Sequence, residues 1–420
     1  MRSTLFFIPH EVAGLPVFGF GWGLILIAVG FLIRLLLLKK THQSPRAFLA
    51  SEGPMWGLIA FAIVFILPVV ELKNLAGEPV GMAIRGYGVM LLLGVLSAVA
   101  LAMARARRRG IDPDAIIGMA PWVFIGGIVG ARLFYVVQYS DRFMHDSWGE
   151  TIRSMLTFTE GGLVVYGGFI FGTLAGVFYA VRQRLPLWRL GDAIVPCMFI
   201  GLAFGRIGCL LNGCCYGGAC PDYWAALHFP VGSPVYVDQL QSGSLVGLDV
   251  DPDSGIIRRV RPGSLAAKDG IESGSRLEKL QLDDRDLEKL SSDMPYERAP
   301  RGVLAMIDGK VYQWSSDQLP ERAMPVQPAQ LISSFSAICL CGLLCAASYW
   351  FRREGAIMML GFASYAVLRF GLEWIRVDEQ GQFGTDLSIS QWVSVLVFAL
   401  SVVGLFWIYG RKQPSSKVEA

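Results

Sequence analysis

The sequence predicts an all-α polytopic membrane protein of about nine transmembrane helices, with one small β-rich extracytoplasmic domain inserted between two of them. Three observations predict it. The 420-residue chain is 53% hydrophobic and only 17% charged, and its mean hydropathy is +0.48, well above a soluble globular composition. Its apolar residues fall in runs of about 18 to 24, long enough to cross the hydrocarbon core as helices. Between about Leu245 and Arg322 the composition turns polar over long stretches, and a segment of that length suffices for one small domain.

Taken in order, the apolar runs cover residues 17–38, 55–72, 86–104, 115–138, 163–181, 192–212, 331–351, 355–375 and 388–409. The first begins after Pro16, is too long for the core of a cleavable signal and has no small-residue cleavage site behind it, so it reads as a span. Every second connection is basic: Arg34, Lys39, Lys40 and Arg46; Arg105, Arg107, Arg108 and Arg109; Arg182, Arg184 and Arg189; Arg352 and Arg353; Arg411 and Lys412. Basic connections stay cytoplasmic. The N-terminus is therefore expected outside and the C-terminus inside, with the loops around 75–85, 139–162, 212–330 and 376–387 on the outer side. The net charge of +3 is spread as short clusters beside apolar segments rather than along a solvated face, which argues against nucleic acid as a partner.

Four domains are expected: an N-terminal pair of helices over 1–74, a membrane core whose first part is 75–244, the inserted domain over 245–322, and the last three helices of the core over 323–420. Within the insert, "SGIIRRVRPGSLAAKDGIESGSRLEKL" has strand character at Gly255–Val260, then Pro-Gly-Ser, a short Ala-rich helical piece and Gly punctuation. This resembles the central half of a PDZ module, with "GLDV" at Gly247–Val250 as a loose match to its carboxylate-binding loop. PDZ folds add a peptide along a sheet edge, so the resemblance implies a peptide ligand; a structural cap without a groove is the other reading.

Chemistry is expected where polar groups interrupt or end the spans: Tyr87, Arg132, Tyr166, Asp192, Arg206, Asn212, Tyr365, Arg369 and Glu373. Charges inside a bilayer are costly and face the bundle interior or a cavity. Tyr365, Arg369 and Glu373 are spaced i, i+4, i+8 and share one helical face. Guanidinium suits bidentate contact with phosphate oxygens, and lipid headgroups are the phosphates nearest to such a cavity; pairing of an arginine with Glu373 or Asp192 is the alternative. "EGGLVVYGGFIFG" places five glycines in thirteen residues, a composition that suits backbone bending or close approach and is expected to leave Tyr166 on a pliable segment.

The ordered set of Gly-Tyr-Gly at Gly86–Gly88, "GARLFY", "EGGLVVYGG", "GRIGCLLNG", "PVQPAQL" and "YAVLRFGLEWIR" resembles bacterial prolipoprotein diacylglyceryl transferase over about 75–223 and 325–411. The resemblance implies transfer of a diacylglyceryl group from phosphatidylglycerol to the thiol of a lipobox cysteine in a prolipoprotein signal peptide, with release of glycerol phosphate, in a multi-pass protein of the bacterial inner membrane. It implies catalytic roles for Tyr166, Arg206 and Arg369, and substrate binding by Tyr87, Arg132, Asn212, Tyr365 and Glu373; it implies no cofactor and no metal. The acceptor must react as thiolate.

This sequence departs from the family pattern at several positions. Tyr166 stands where many members carry histidine, and a phenol near pKa 10 is a weak base at neutral pH. Cys209, Cys214 and Gln327 replace the usual Asn, Glu and His. With the histidine missing, a lipid-binding scaffold or transporter on the same fold is the competing function; no HExxH, and no GxSxG with a partner histidine, supports an intramembrane protease. Of eight cysteines, Cys209, Cys214, Cys215 and Cys220 cluster on the expected outer side, where a disulfide is the leading reading and metal ligation the other. Cys197, Cys339, Cys341 and Cys345 lie within spans and read as small packing residues.

Overall fold

The computed structural model describes residues 4–41, 48, 52–74, 77–144, 147–156, 162, 164–251, 254–282, 302–375, 385 and 387–411. The expected outer loop 376–387 lies almost wholly outside these residues, as do Glu160 and Gly161 of the glycine-rich motif.

In chain order the elements are β1 (Thr4–Pro9), β2 (Glu11–Val12), β3 (Leu15–Pro16), α1 (Trp22–Thr41), α2 (Gly53–Val70), β4 (Leu72–Lys73), β5 (Pro79–Arg85), α3 (Gly86–Arg108), α4 (Pro113–Gln138), α5 (Trp148–Leu156), α6 (Val165–Arg182), α7 (Leu187–Asn212), α8 (Pro234–Gln241), β6 (Leu248–Val250), β7 (Ile257–Val260), α9 (Leu265–Lys268), β8 (Leu277–Leu282), β9 (Gly302–Ile307), β10 (Lys310–Ser315), α10 (Ala329–Ala347), α11 (Ala356–Glu373) and α12 (Ile389–Gly410). Among the described residues eight helices, α2–α4, α6, α7 and α10–α12, are long and apolar enough to cross a membrane. The protein is therefore a mostly helical, multi-pass membrane protein. The first expected span is present as α1, whose described apolar part, Trp22–Leu37, is shorter than the rest. A π-helical turn at Ala62–Ile66 interrupts α2.

The chain divides into two compact units, one of residues 1–89 and 208–328, the other of 90–207 and 329–420. The first holds β1–β10. Residues 75–85, expected to be a loop, contain β5, which lies between β1 and β4 in a three-stranded sheet. This pairing joins segments more than 70 residues apart in sequence, so no local pattern announces it. His10 Nδ1 and the buried Glu71 Oε2, 2.7 Å apart, tie the end of β1 to the end of α2.

The expected strand at Gly255–Val260 and the Ala-rich helical piece are present as β7 and α9, with Ser264 capping α9 through its side chain. β8, β9 and β10 form a separate antiparallel sheet. The hydrophobic core of this region runs from Phe229, Val235, Tyr236 and Leu240 to Trp314, Leu319 and Val326. It therefore draws on residues either side of 245–322, including Val235, Tyr236 and Leu240 of α8.

The second unit is a helix bundle. Side chains on its lipid-facing helices are exposed in long apolar rows, such as Ile117, Phe124, Val129 and Val137 on α4, as a bilayer solvent allows. α4 and α6 pack antiparallel through glycines. A Cβ on Gly130 would stand 2.2 Å from Phe171 Cβ, and one on Gly167 would stand 2.4 Å from the Gly130 carbonyl oxygen. Small residues let membrane helices approach at backbone distance, and that is their use here. The expectation of a pliable segment is thereby corrected: Tyr166 stands in the first turn of a regular helix.

Candidate functional site

α7 positions most of the charged groups of the second unit. At its start, Asp192 is fully buried; it accepts from the backbone N–H groups of Gly355 and Met358, both at 2.8 Å, and from Arg109 at 2.7 Å. Its carboxylate thus caps the first turn of α11, satisfying donors that a helix N-terminus leaves open. Arg105, one turn before Arg109, donates to the carbonyls of Ala193 and Asp192 at 3.1 and 2.8 Å and to Ser348 at 3.0 Å. The two arginines, expected from sequence only as orientation signals, are therefore parts of a buried polar joint among α3, α7, α10 and α11. The signal that could have found them is their i, i+4 spacing opposite a lone in-span aspartate. Arg105, Arg108, Arg109 and Arg352 also line a cavity of about 380 Å³ at this end of the bundle.

Three contacts fix how α7 and α11 run. Asp192 sits at Gly355 and Met358; Val195 stands against Gly361; the Phe199 ring lies 5.9 Å from that of Tyr365. Numbers rise together on both, so the helices are parallel with a near-constant offset. Arg206 is seven residues beyond Phe199, two turns on the same face and about 10 Å further along. Arg369 and Glu373 are one and two turns beyond Tyr365, about 6 and 12 Å. The packing brings Arg206, Tyr365, Arg369 and Glu373 toward the same end of two adjacent helices. α10 joins them there through Ser334 Oγ, which donates to the Ala203 carbonyl at 3.0 Å.

The two arginines differ in their partners. Arg369 donates to Glu373 on its own helix and, at 2.9 Å, to Ser390 Oγ in the first turn of α12; Glu373 is buried. Arg206 has no ion pair or hydrogen bond among the described residues, and its Nε is buried without a partner. A buried donor left unpaired costs roughly 1 to 3 kcal/mol, so Arg206 carries binding capacity that the fold itself does not use.

The other expected residues are distributed as follows. Arg132 donates to the carbonyls of Met155, Ser154 and Gly162 at 2.8, 2.9 and 3.2 Å and lies over the rings of Tyr135 and Phe143. These contacts hold the end of α5 and the approach to α6. Tyr166 is 53% exposed. Tyr87 and Asn212 belong to the first unit; Tyr87 opens α3, and Gly86 beside it packs against Leu211.

The described cysteines carry no disulfide. Cys220 stands apart, while the sulfurs of Cys209, Cys214 and Cys215 all lie within 4.8 Å of one another. Cys197, Cys341 and Cys345 pack within the bundle, as expected, although Cys345 Sγ also accepts from Arg105 at 3.3 Å.

The family profile described as prolipoprotein diacylglyceryl transferase matches residues 77–407. A protein of Rhodopirellula baltica named phosphatidylglycerol–prolipoprotein diacylglyceryl transferase is 44% identical over 443 aligned positions, covering 97% of this chain and 89% of its own length. That coverage leaves too few residues for the inserted region to fall outside the alignment. A Synechococcus elongatus protein of the same name is 25% identical, covering 79% of this chain and 86% of itself, and one of Clostridium tetani is 35% identical over 35% of this chain and 56% of itself.

Proposed function

Because the chain belongs to the prolipoprotein diacylglyceryl transferase family, we propose that the Arg206 end of α7 and α11 is where it binds phosphatidylglycerol and carries out that family's reaction. The protein transfers a diacylglyceryl group from phosphatidylglycerol to a prolipoprotein. At the acceptor, a cysteine thiolate attacks the glyceryl carbon: the C–S bond forms, the C–O bond to phosphate breaks, and the electron pair leaves with glycerol phosphate. The thiol proton passes to a base.

The observation that carries the assignment is the unpartnered buried Nε of Arg206. Its fork suits the phosphate diester of the lipid and the extra charge that grows on the leaving oxygen. Arg369, already tied to Glu373 and Ser390, supplies positive potential at the same level and orients its neighbours. Tyr365 and Glu373 shape the wall, Arg132 positions the start of α6, and Tyr87 and Asn212 serve substrate binding. Tyr166, with a phenol rather than an imidazole, positions the acceptor by hydrogen bonding. Arginines gather at one set of helix ends, Arg105, Arg107 and Arg108 on α3 and Arg182 on α6, which supports a cytoplasmic face there, an outer-leaflet site, an outer N-terminus and a cytoplasmic C-terminus. The region around β6–β10 remains, in our reading, a PDZ-like module for an extended peptide, supported by β7, the capped α9 and the Gly247 turn.

The test is direct. Purified protein given labelled phosphatidylglycerol and a lipobox peptide yields a thioether-linked product and glycerol phosphate. Lipid retention without product would make the chain a lipid-binding scaffold instead.

A further inference from the structure

α7 ends in a manner that gathers sulfur. Its last turn contributes Cys209, and the backbone N–H groups of Gly213 and Cys214 both return to the Cys209 carbonyl, at 2.9 and 3.1 Å. Gly213 then takes φ 76° and Cys215 φ 55°. Two left-handed residues in three reverse the chain tightly, and for cysteine that conformation is unfavourable. The reversal carries Cys214 and Cys215 back over Cys209.

The segment that follows is pinned. Gly217 N–H donates to the Gln327 carbonyl at 3.1 Å, Gln327 N–H to that of Gly218 at 2.9 Å, and Cys220 N–H to that of Pro325 at 3.1 Å. Tyr216 Oη donates to Asp238 at 2.9 Å. The three sulfurs, each half-buried, thus form a triangle with every edge under 4.8 Å. Three sulfurs around one ion at about 2.3 Å would be just under 4 Å apart, so closing the triangle on an ion takes only a rotamer adjustment.

We infer that Cys209, Cys214 and Cys215 form a binding site for a soft, thiophilic metal ion, with Cu(I) the ion that suits it. Among the described residues no fourth His, Cys, Asp or Glu joins the group. Soft thiolate sets suit Cu(I) and Zn(II) alike, but structural Zn(II) is almost always held by four protein ligands, so a set of three points to Cu(I). Binding exchanges three S–H bonds for three metal–sulfur bonds and releases the protons to solvent, with no change of oxidation state.

The test uses the full chain in detergent, purified with reductant under anaerobic conditions. Cu(I) is titrated in competition with a coloured Cu(I) chelator, and the copper environment is read by X-ray absorption. The expected result is about one Cu(I) per chain with sulfur scattering near 2.3 Å, lost by at least about tenfold in affinity in each of C209S, C214S and C215S, and retained in C220S and C197S. The serine variants must elute as the parent does; a variant that does not is replaced by blocking the same cysteine with a small alkylating reagent. No Cu(I) held against the chelator by the reduced parent overturns the inference. So does copper held equally by C209S, or a disulfide among these three cysteines when cells are alkylated before lysis.

Discussion

Replacing Arg206 and Arg369 in turn by leucine should separate binding from folding, because the two side chains sit in opposite electrostatic circumstances. Arg369→Leu strands Glu373, whose side chain is only 7% exposed, and removes a donor from Ser390. Orphaning one member of a buried pair costs about 3 to 5 kcal/mol. Arg206→Leu breaks no hydrogen bond or ion pair among the described residues, its Nε being buried without a partner; its effect on stability should fall within about 0.5 kcal/mol of zero or be favourable. Activity should respond the other way. Losing two charge-assisted hydrogen bonds to a phosphate, at about 1.5 to 3 kcal/mol each, lowers transfer by roughly a hundredfold to ten-thousandfold. The assay pairs the lipobox-peptide reaction with thermal unfolding of the solubilised protein. An Arg206→Leu protein that transfers normally but melts like Arg369→Leu would refute the reasoning.

Asp192→Ala removes the partner of Arg109 and the acceptor of two helix-capping N–H groups, so it should cost at least about 3 kcal/mol and speed amide exchange at the start of α11. Gly130→Leu places a branched side chain where even a Cβ meets Phe171 at 2.2 Å; overpacking of about 1 to 3 kcal/mol or more should appear as a lowered unfolding midpoint. Trp314→Ala, which empties a buried site and orphans Asp269, should cost about 3 to 5 kcal/mol, read as faster exchange in β9 and β10. The carboxyl of Asp308 is held below its usual range, chiefly by the backbone N–H of Arg276 and then by the Ser275 side chain. Its contribution is therefore present above the ordinary aspartate pKa and lost as pH falls through the lower folded value, so exchange in the β9–β10 turn should rise only under acid and the rise should vanish in Asp308→Asn. Excising 245–322 should expose Tyr236 and Leu240, which belong to the same core; on our reading the excised chain keeps transfer chemistry and changes its choice among precursors, provided the cut is widened to take in α8, and an unchanged precursor profile would remove the recognition role.

Composition and the spacing of apolar runs determined the membrane class, because a hydrocarbon solvent accepts only long apolar helices or closed barrels. The ordered motifs determined the family, since family signatures are local strings. Local rules also reached β7 and α9, whose strand, turn and cap residues lie within a dozen positions. The three-stranded sheet of β1, β5 and β4 was decided only in three dimensions, as was the core shared by α8 and β10, because each joins segments far apart in the chain. The same holds for the charges. Sequence could place Arg206, Arg369, Arg109, Asp192 and Glu373 in or beside spans and could name pairing as an alternative, but every arginine had more than one acid within plausible reach. Helix packing assigned Asp192 to Arg109 and Glu373 to Arg369, and left Arg206 with a buried Nε that has no partner among the described residues.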